Sequence, residues 1–147
     1  MATLRVDASL EALSDIGAFV VKAAEEAGLE KRASYRLRLA VDEIATNIVM
    51  HGQNGQAVAD AVVDVASIVD DDHLTIVLED AGPAFDPLSH ALPQDEDLSK
   101  PMQEKPMGGL GVFLAIRGVD QFRYERTATG NRNVFIVNRK PSAAPAA

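Results

Sequence analysis

Cysteine is absent from the 147 residues, which excludes a disulfide framework and any thiolate metal site. Long apolar runs are absent too. None approaches the roughly 20 residues of a membrane helix, and the N-terminus lacks the basic-then-apolar order of a signal peptide. A cytoplasmic protein with no membrane partner is the expectation. Basic charge is scarce: 14 lysines and arginines stand against 22 aspartates and glutamates, for a net charge of −8. No strongly basic patch offsets it, so nucleic acid is not an expected partner, because its phosphates would be repelled. His51, His73 and His90 are scattered and form no ligand pattern. Neither a nucleophile elbow, a Walker A loop nor a dinucleotide fingerprint is present.

What remains is a chain of ordinary globular composition, most simply one domain over residues 1–140 with a sizeable core. Ala2 to Asp7 alternates as a short strand does, with Leu4 and Val6 on one face. Asp7 and Ser9 are both candidate caps for a helix from Leu10 to Ala27. Its residues Leu10, Leu13, Ile16, Val20 and Ala24 keep helical spacing, and Gly28 ends it. A short polar link leads to a second helix, Leu37 to Gly52. Gln53 to Gln56 reads as a turn. Ala57 to Val69 reads as a half-buried strand with Ala61, Val63, Val65 and Val69 facing one way. Asp70 to Asp72 is a polar turn before a strand from His73 to Asp80. Gln121 to Arg126 and Asn133 to Arg139 read as a hairpin around Thr129-Gly130-Asn131, with Phe122 and Tyr124 facing the core. Residues 141–147 have no core-forming side chains and read as a disordered tail.

Three stretches carry candidate chemistry. On the second helix, Leu37, Ala40, Val41, Ile44, Ala45 and Ile48 form an apolar stripe, while Glu43 and Asn47 sit four apart and share a face. That pair suits a proton acceptor beside a metal or phosphate ligand, but on this stretch alone a solvated pair on an ordinary amphipathic helix is the plainer reading. On the strand from His73, the residues Leu74, Ile76, Leu78 and Asp80 share a face, so an apolar face ends in a carboxylate. Either Asp80 reaches solvent at the rim or it receives specific hydrogen bonds, since an unpaired buried carboxylate is costly. Gly82 follows in Ala81-Gly82-Pro83-Ala84-Phe85-Asp86-Pro87, where a bare backbone allows close approach by a ligand. The stretch 83–107, with four prolines after Pro83 and the acidic run Asp95-Glu96-Asp97, reads as a lid. Gly108-Gly109-Leu110-Gly111 then opens a helix and presents N–H groups suited to an anion.

The order of LRLAVDEIATNIVMHG, DAGPAFDP and GGLGVFLAIRGVD resembles the GHKL (Bergerat-fold) ATPase superfamily, and within it the small bacterial anti-sigma-factor serine/threonine kinases. The resemblance implies an α+β, two-layer sandwich in which a mixed, mostly antiparallel sheet carries helices on one face. It implies ATP and Mg²⁺ as cofactors, with Asn47 as the metal ligand and Asp80 accepting from the adenine amine. It also places Gly82 and Phe85 at the nucleotide, with Gly108, Gly109, Leu110 and Gly111 at the phosphates. Glu43 would be the general base toward a serine or threonine hydroxyl. The partner implied is a STAS-domain anti-anti-sigma factor, with a sigma factor as a second partner and homodimers as a further family expectation. The alternative is an ATP-responsive regulator that binds its partner without phosphorylating it. One departure stands out: Ala84 replaces the second glycine that many relatives carry, which bears on closure of the lid. No helical phospho-acceptor hairpin is present, so a protein acting on another protein is the expectation.

Overall fold

The computed structural model describes residues 1–51, 61–87 and 115–139. Strand β1 (Ala2–Asp7) is followed by a 3-10 turn (Leu10–Ala12) and helix α1 (Leu13–Glu26). Then come α2 (Lys31–His51), β2 (Val62–Val69), β3 (His73–Asp80), β4 (Gln121–Arg126) and β5 (Asn131–Asn138). The strands form a five-stranded sheet in the order β1-β2-β3-β5-β4. Every ladder among the described residues is antiparallel, the extreme of the expected mostly antiparallel sheet.

Both helices cover one face of this sheet. The expected stripe of α2 is found intact: Leu37, Ala40, Val41, Ile44 and Ala45 are buried and Ile48 packs at the margin. They meet Val63, Val65, Leu74, Ile76, Leu78, Phe135 and Val137, the inward residues of β2, β3 and β5, together with Ile16, Val20, Ala23 and Ala24 of α1. Burying each large aliphatic side chain contributes about 1.5–3 kcal/mol. The opposite face carries a row of charges in register, Arg5, Asp64, Glu79, Arg132 and Glu125. Arg5–Asp64 and Arg132–Glu79 pair at 2.6 Å, and Arg132–Glu125 at 2.8 Å. Pairs this exposed add little to stability.

Local chemistry sets the ends of these elements. Of the two candidate caps it is Ser9 that acts, its Oγ accepting from the Ala12 N–H at 3.3 Å. Gly28 ends α1 as expected, in the left-handed region at φ 78°. The Gly28 N–H donates to the Glu25 carbonyl and the Leu29 N–H to that of Ala24, both at 3.0 Å. This paired closure needs a residue free to take positive φ.

Several expectations need correction. The second helix starts at Lys31, not Leu37. Its first turns are solvent-facing Lys and Arg, good helix formers that leave no apolar stripe to mark them. Leu10 lies in the 3-10 turn and is 57% exposed, so it does not share the buried face of α1. Val69 is 46% exposed, because β1 begins opposite Ser67 and gives it no neighbour on that side. Asn131 belongs to β5 and not to the preceding turn. The expected strand residues 57–60, the lid from residue 88 onward and the tail from 141 lie outside the described residues.

Candidate functional site

The inner face of the sheet changes character along its strands. At one end it is apolar. At the other, Asp80 on β3 stands opposite Asn131 on β5, Leu78 stands opposite Asn133, and Tyr124 and Arg126 on β4 stand opposite Asn133 and Asn131. Strand alternation makes this unavoidable: residues two apart share a face, so Asn131 and Asn133 lie in line with Phe135 and Val137. Asn131 is 4% exposed and Asn133 1%.

Asn131 ties this end together. Its Oδ1 accepts from the Phe85 N–H at 3.2 Å, from Arg126 Nη1 at 3.4 Å and from the Tyr124 hydroxyl. Its Nδ2 donates to Asp80 Oδ2 at 3.1 Å and to the carbonyls of Pro83 at 3.0 Å and Gly82 at 3.4 Å. Arg126 Nη1 also donates to the Gly82 carbonyl at 2.7 Å. The segment leaving β3 is thus held by side chains of β4 and β5. Packing there is tight: a Cβ on Gly130 would lie 1.8 Å from the Asp80 carbonyl oxygen. Glycine is required at 130 by this close approach of two backbones.

The question left open for Asp80 is answered by two donors. The Gly82 N–H at 2.9 Å and Asn131 Nδ2 at 3.1 Å both reach Oδ2. Among the described residues, the buried Asp80 Oδ1 has no partner, and the same is true of Asn133 Oδ1. A buried acceptor without a donor costs about 1–3 kcal/mol, so each of these oxygens calls for a donor from a water or a ligand. Both residues line a cleft whose other walls are Ile44, Asn47 and Ile48 of α2, Phe85 and Pro87 beyond β3, and Asn131. Its free space is about 10 Å³, room for one water. A larger ligand enters only when a wall moves.

The α2 pair splits between two environments. Asn47 is 8% exposed and faces the cleft, so the solvated reading does not hold for it. Glu43 lies one turn back, about 6 Å along the axis, half-buried and outside the cleft's lining. Burial, and secondarily the neighbouring Asp42, raises its carboxyl above the ordinary value. Gly82 and Phe85 fall at the cleft through the contacts above. Gly108, Gly109, Leu110 and Gly111 lie outside the described residues.

Tyr124, Arg126, Gly130, Asn131 and Asn133 are absent from the candidate site residues read from the sequence, which gave Tyr124 to the core and Gly130 and Asn131 to a turn. Phe122 does pack on the core, edge-on to Phe135 at 5.1 Å, but Tyr124 serves the polar end instead. The signal was available: polar residues on an apolar strand face, the same pattern that marked Asp80.

Among the described residues no helix is long and apolar enough to cross a membrane, and no three His, Asp or Glu side chains gather to hold a metal. Among curated proteins, none matches the chain. The profile of the histidine kinase-like ATPase domain matches residues 6–136.

Proposed function

The chain belongs to the histidine kinase-like ATPase domain family, of the GHKL fold, and from that premise we propose that it is an ATP-dependent serine/threonine protein kinase of anti-sigma-factor type. The observation that carries the reading is Asp80: one carboxylate oxygen fixed by two donors, the other buried and without a partner among the described residues, at a cleft that Asn47 also lines. An adenine amine supplies the missing donor.

Asp80 and the Gly82 backbone orient the base, and the apolar walls Ile44, Ile48 and Phe85 exclude water from it. Asn47 offers a carbonyl oxygen from a helix already packed in place, the hard donor that Mg²⁺ takes beside phosphate. When bound, Mg²⁺ neutralises phosphate charge as the γ-phosphoryl group transfers. Glu43 accepts the proton of the attacking serine or threonine hydroxyl, whose oxygen forms the new bond to phosphorus as the bond to ADP breaks. Desolvation suits Glu43 to this role, because a raised pKa strengthens a base. The proposed protein substrate is a STAS-domain anti-anti-sigma factor, with a sigma factor sequestered by the same surface.

One observation favours a second reading, a nucleotide-responsive binder without transfer: Glu43 does not line the cleft. Labelled Mg-ATP incubated with STAS-domain proteins separates the two. Hydroxyl-linked phosphate on the partner that is lost in Glu43→Gln supports the kinase. Tight partner binding with no phosphate incorporated at any Mg²⁺ concentration supports the binder. Undiminished transfer by Glu43→Gln refutes the base assignment.

A further inference from the structure

Basic charge is scarce in this chain, yet four of its 14 lysines and arginines fall between residues 31 and 38, and no acidic residue lies between Glu30 and Asp42. All four are exposed. None forms an ion pair among the described residues, unlike Arg5 and Arg132 on the sheet. Arg38 leans toward α1, where a Cβ on Gly17 would lie 3.1 Å from its Nε. Arg32 and Arg36 instead share a stripe of α2 with Tyr35, Leu39, Glu43 and Met50, at steps of three, four or seven residues. Tyr35, Leu39 and Met50 are among the large apolar side chains left exposed. The stem of Arg36 rests against Gly118, whose added Cβ would lie 3.4 Å from the arginine Cβ.

One exposed apolar side chain needs no explanation. Three of them on a stripe that joins uncompensated cations to Glu43 point outward to a partner. We propose that this face of α2 docks the protein substrate and selects an acidic patch beside the reacting hydroxyl. Arg36 and Arg32 stand about 10 and about 16 Å along the helix axis from Glu43, so the carboxylates they accept lie at those distances from the hydroxyl. Tyr35 and Leu39 cover an apolar side chain between them. The arrangement gives Glu43 its place: half-buried and outside the cleft's lining, it meets a hydroxyl that arrives along the helix. A nucleic acid fits poorly, because Asp42 and Glu43 interrupt the cations and the net charge of −8 repels phosphates beyond them. The inference rests on the kinase reading above and adds the chemistry of the partner's surface.

STAS-domain proteins of differing surface charge are titrated calorimetrically into wild type and into the double variant Arg32→Ala/Arg36→Ala, and transfer from labelled Mg-ATP is followed in the same pairs. The acidic members bind best. The double variant binds them about tenfold more weakly at low salt, with KM for the partner rising while kcat holds. That deficit shrinks as salt is raised, whereas Tyr35→Ala weakens binding about tenfold at any salt. The positions are exposed, so the variants melt as wild type does. Unchanged partner affinity overturns the proposal, including where the substitutions dissociate a dimer, which gives the stripe to a second copy. An equal loss of ADP affinity also overturns it, because the arginines then serve the nucleotide. Partner binding that falls as stated, with no phosphate transferred by wild type, overturns the kinase reading and leaves the docking surface standing. Wild type that binds none of these proteins overturns both.

Discussion

Replacing Asn131 by Asp changes one atom and reverses its role. The Nδ2 position faces only acceptors: Asp80 Oδ2 at 3.1 Å, the Pro83 carbonyl at 3.0 Å and the Gly82 carbonyl at 3.4 Å. In Asn131→Asp an oxygen takes that place. Two ionised carboxylates about 3 Å apart repel by roughly 5 kcal/mol even at an effective dielectric of 20. The cheaper course is for the pair to hold one proton between them. Against an ordinary carboxyl value near 3.9, keeping that proton costs about 4 kcal/mol at pH 7 and about 1.5 kcal/mol at pH 5. Lost bonds to the two carbonyls add a further part that does not vary with pH. Urea unfolding at both pH values reads the difference: the variant's deficit shrinks by about 2.7 kcal/mol between pH 7 and pH 5. A deficit that stays constant across that range refutes the electrostatic account, and leaves only lost packing and hydrogen bonds.

Gly130→Ala drives a methyl group against the Asp80 carbonyl at 1.8 Å and Ala81 Cα at 2.7 Å, so β5 must leave β3 at the site. A loss of about 3 kcal/mol or more is expected by urea unfolding. Glu43→Gln bears on pH. The folded state binds the Glu43 proton more tightly than the unfolded state, so that group's stabilisation is present below the ordinary value of 4.5 and lost as pH rises through the folded one. Thermal melts against pH therefore show the glutamine variant gaining on wild type as pH climbs above 4.5, and no such trend refutes the desolvation. Arg139 Nε donates to the Ala27 carbonyl at 2.9 Å and Nη1 to that of Asp70 at 2.6 Å, closing the end of α1 onto the β2–β3 turn. Arg139→Met keeps the stem and costs about 1–2 kcal/mol by urea unfolding.

The elements legible in the sequence were those with a buried face of regular period. The α2 stripe from Leu37 to Ile48 and the alternation of β3 follow from geometry that any burial imposes. What stayed hidden depended on tertiary neighbours. The exposed first turns of α2 have no apolar signature. The need for Gly130 comes from a backbone 50 residues earlier in the chain. Asp80 announced itself because three apolar residues precede it on its face. Asn131 and Asn133 come before Phe135 and Val137 on theirs, so the same break in pattern stood at a strand's start, where Asn131 read as a turn and Asn133 as the strand's first residue. Glu43 and Asn47 were indistinguishable by spacing. Only the depth of the sheet beneath them separates a buried carboxamide from a half-exposed carboxylate.

A sheet face that is apolar for most of its length and polar at one end is not arranged for stability, and Asn133 allows that to be measured. Its Oδ1 is buried with no donor among the described residues, which leaves a desolvation cost with no compensating bond from them. Asn133→Leu removes that acceptor and extends the row of Phe135 and Val137. The variant should unfold about 1 kcal/mol or more later in urea than wild type while binding ADP more weakly, the trade expected where local pattern is broken for a ligand. Saturating ADP should then stabilise wild type more than the variant and narrow or reverse the order. If Asn133→Leu is instead less stable without ligand, the oxygen has a partner inside the protein, and the polar end of the sheet is structural rather than held open for a base.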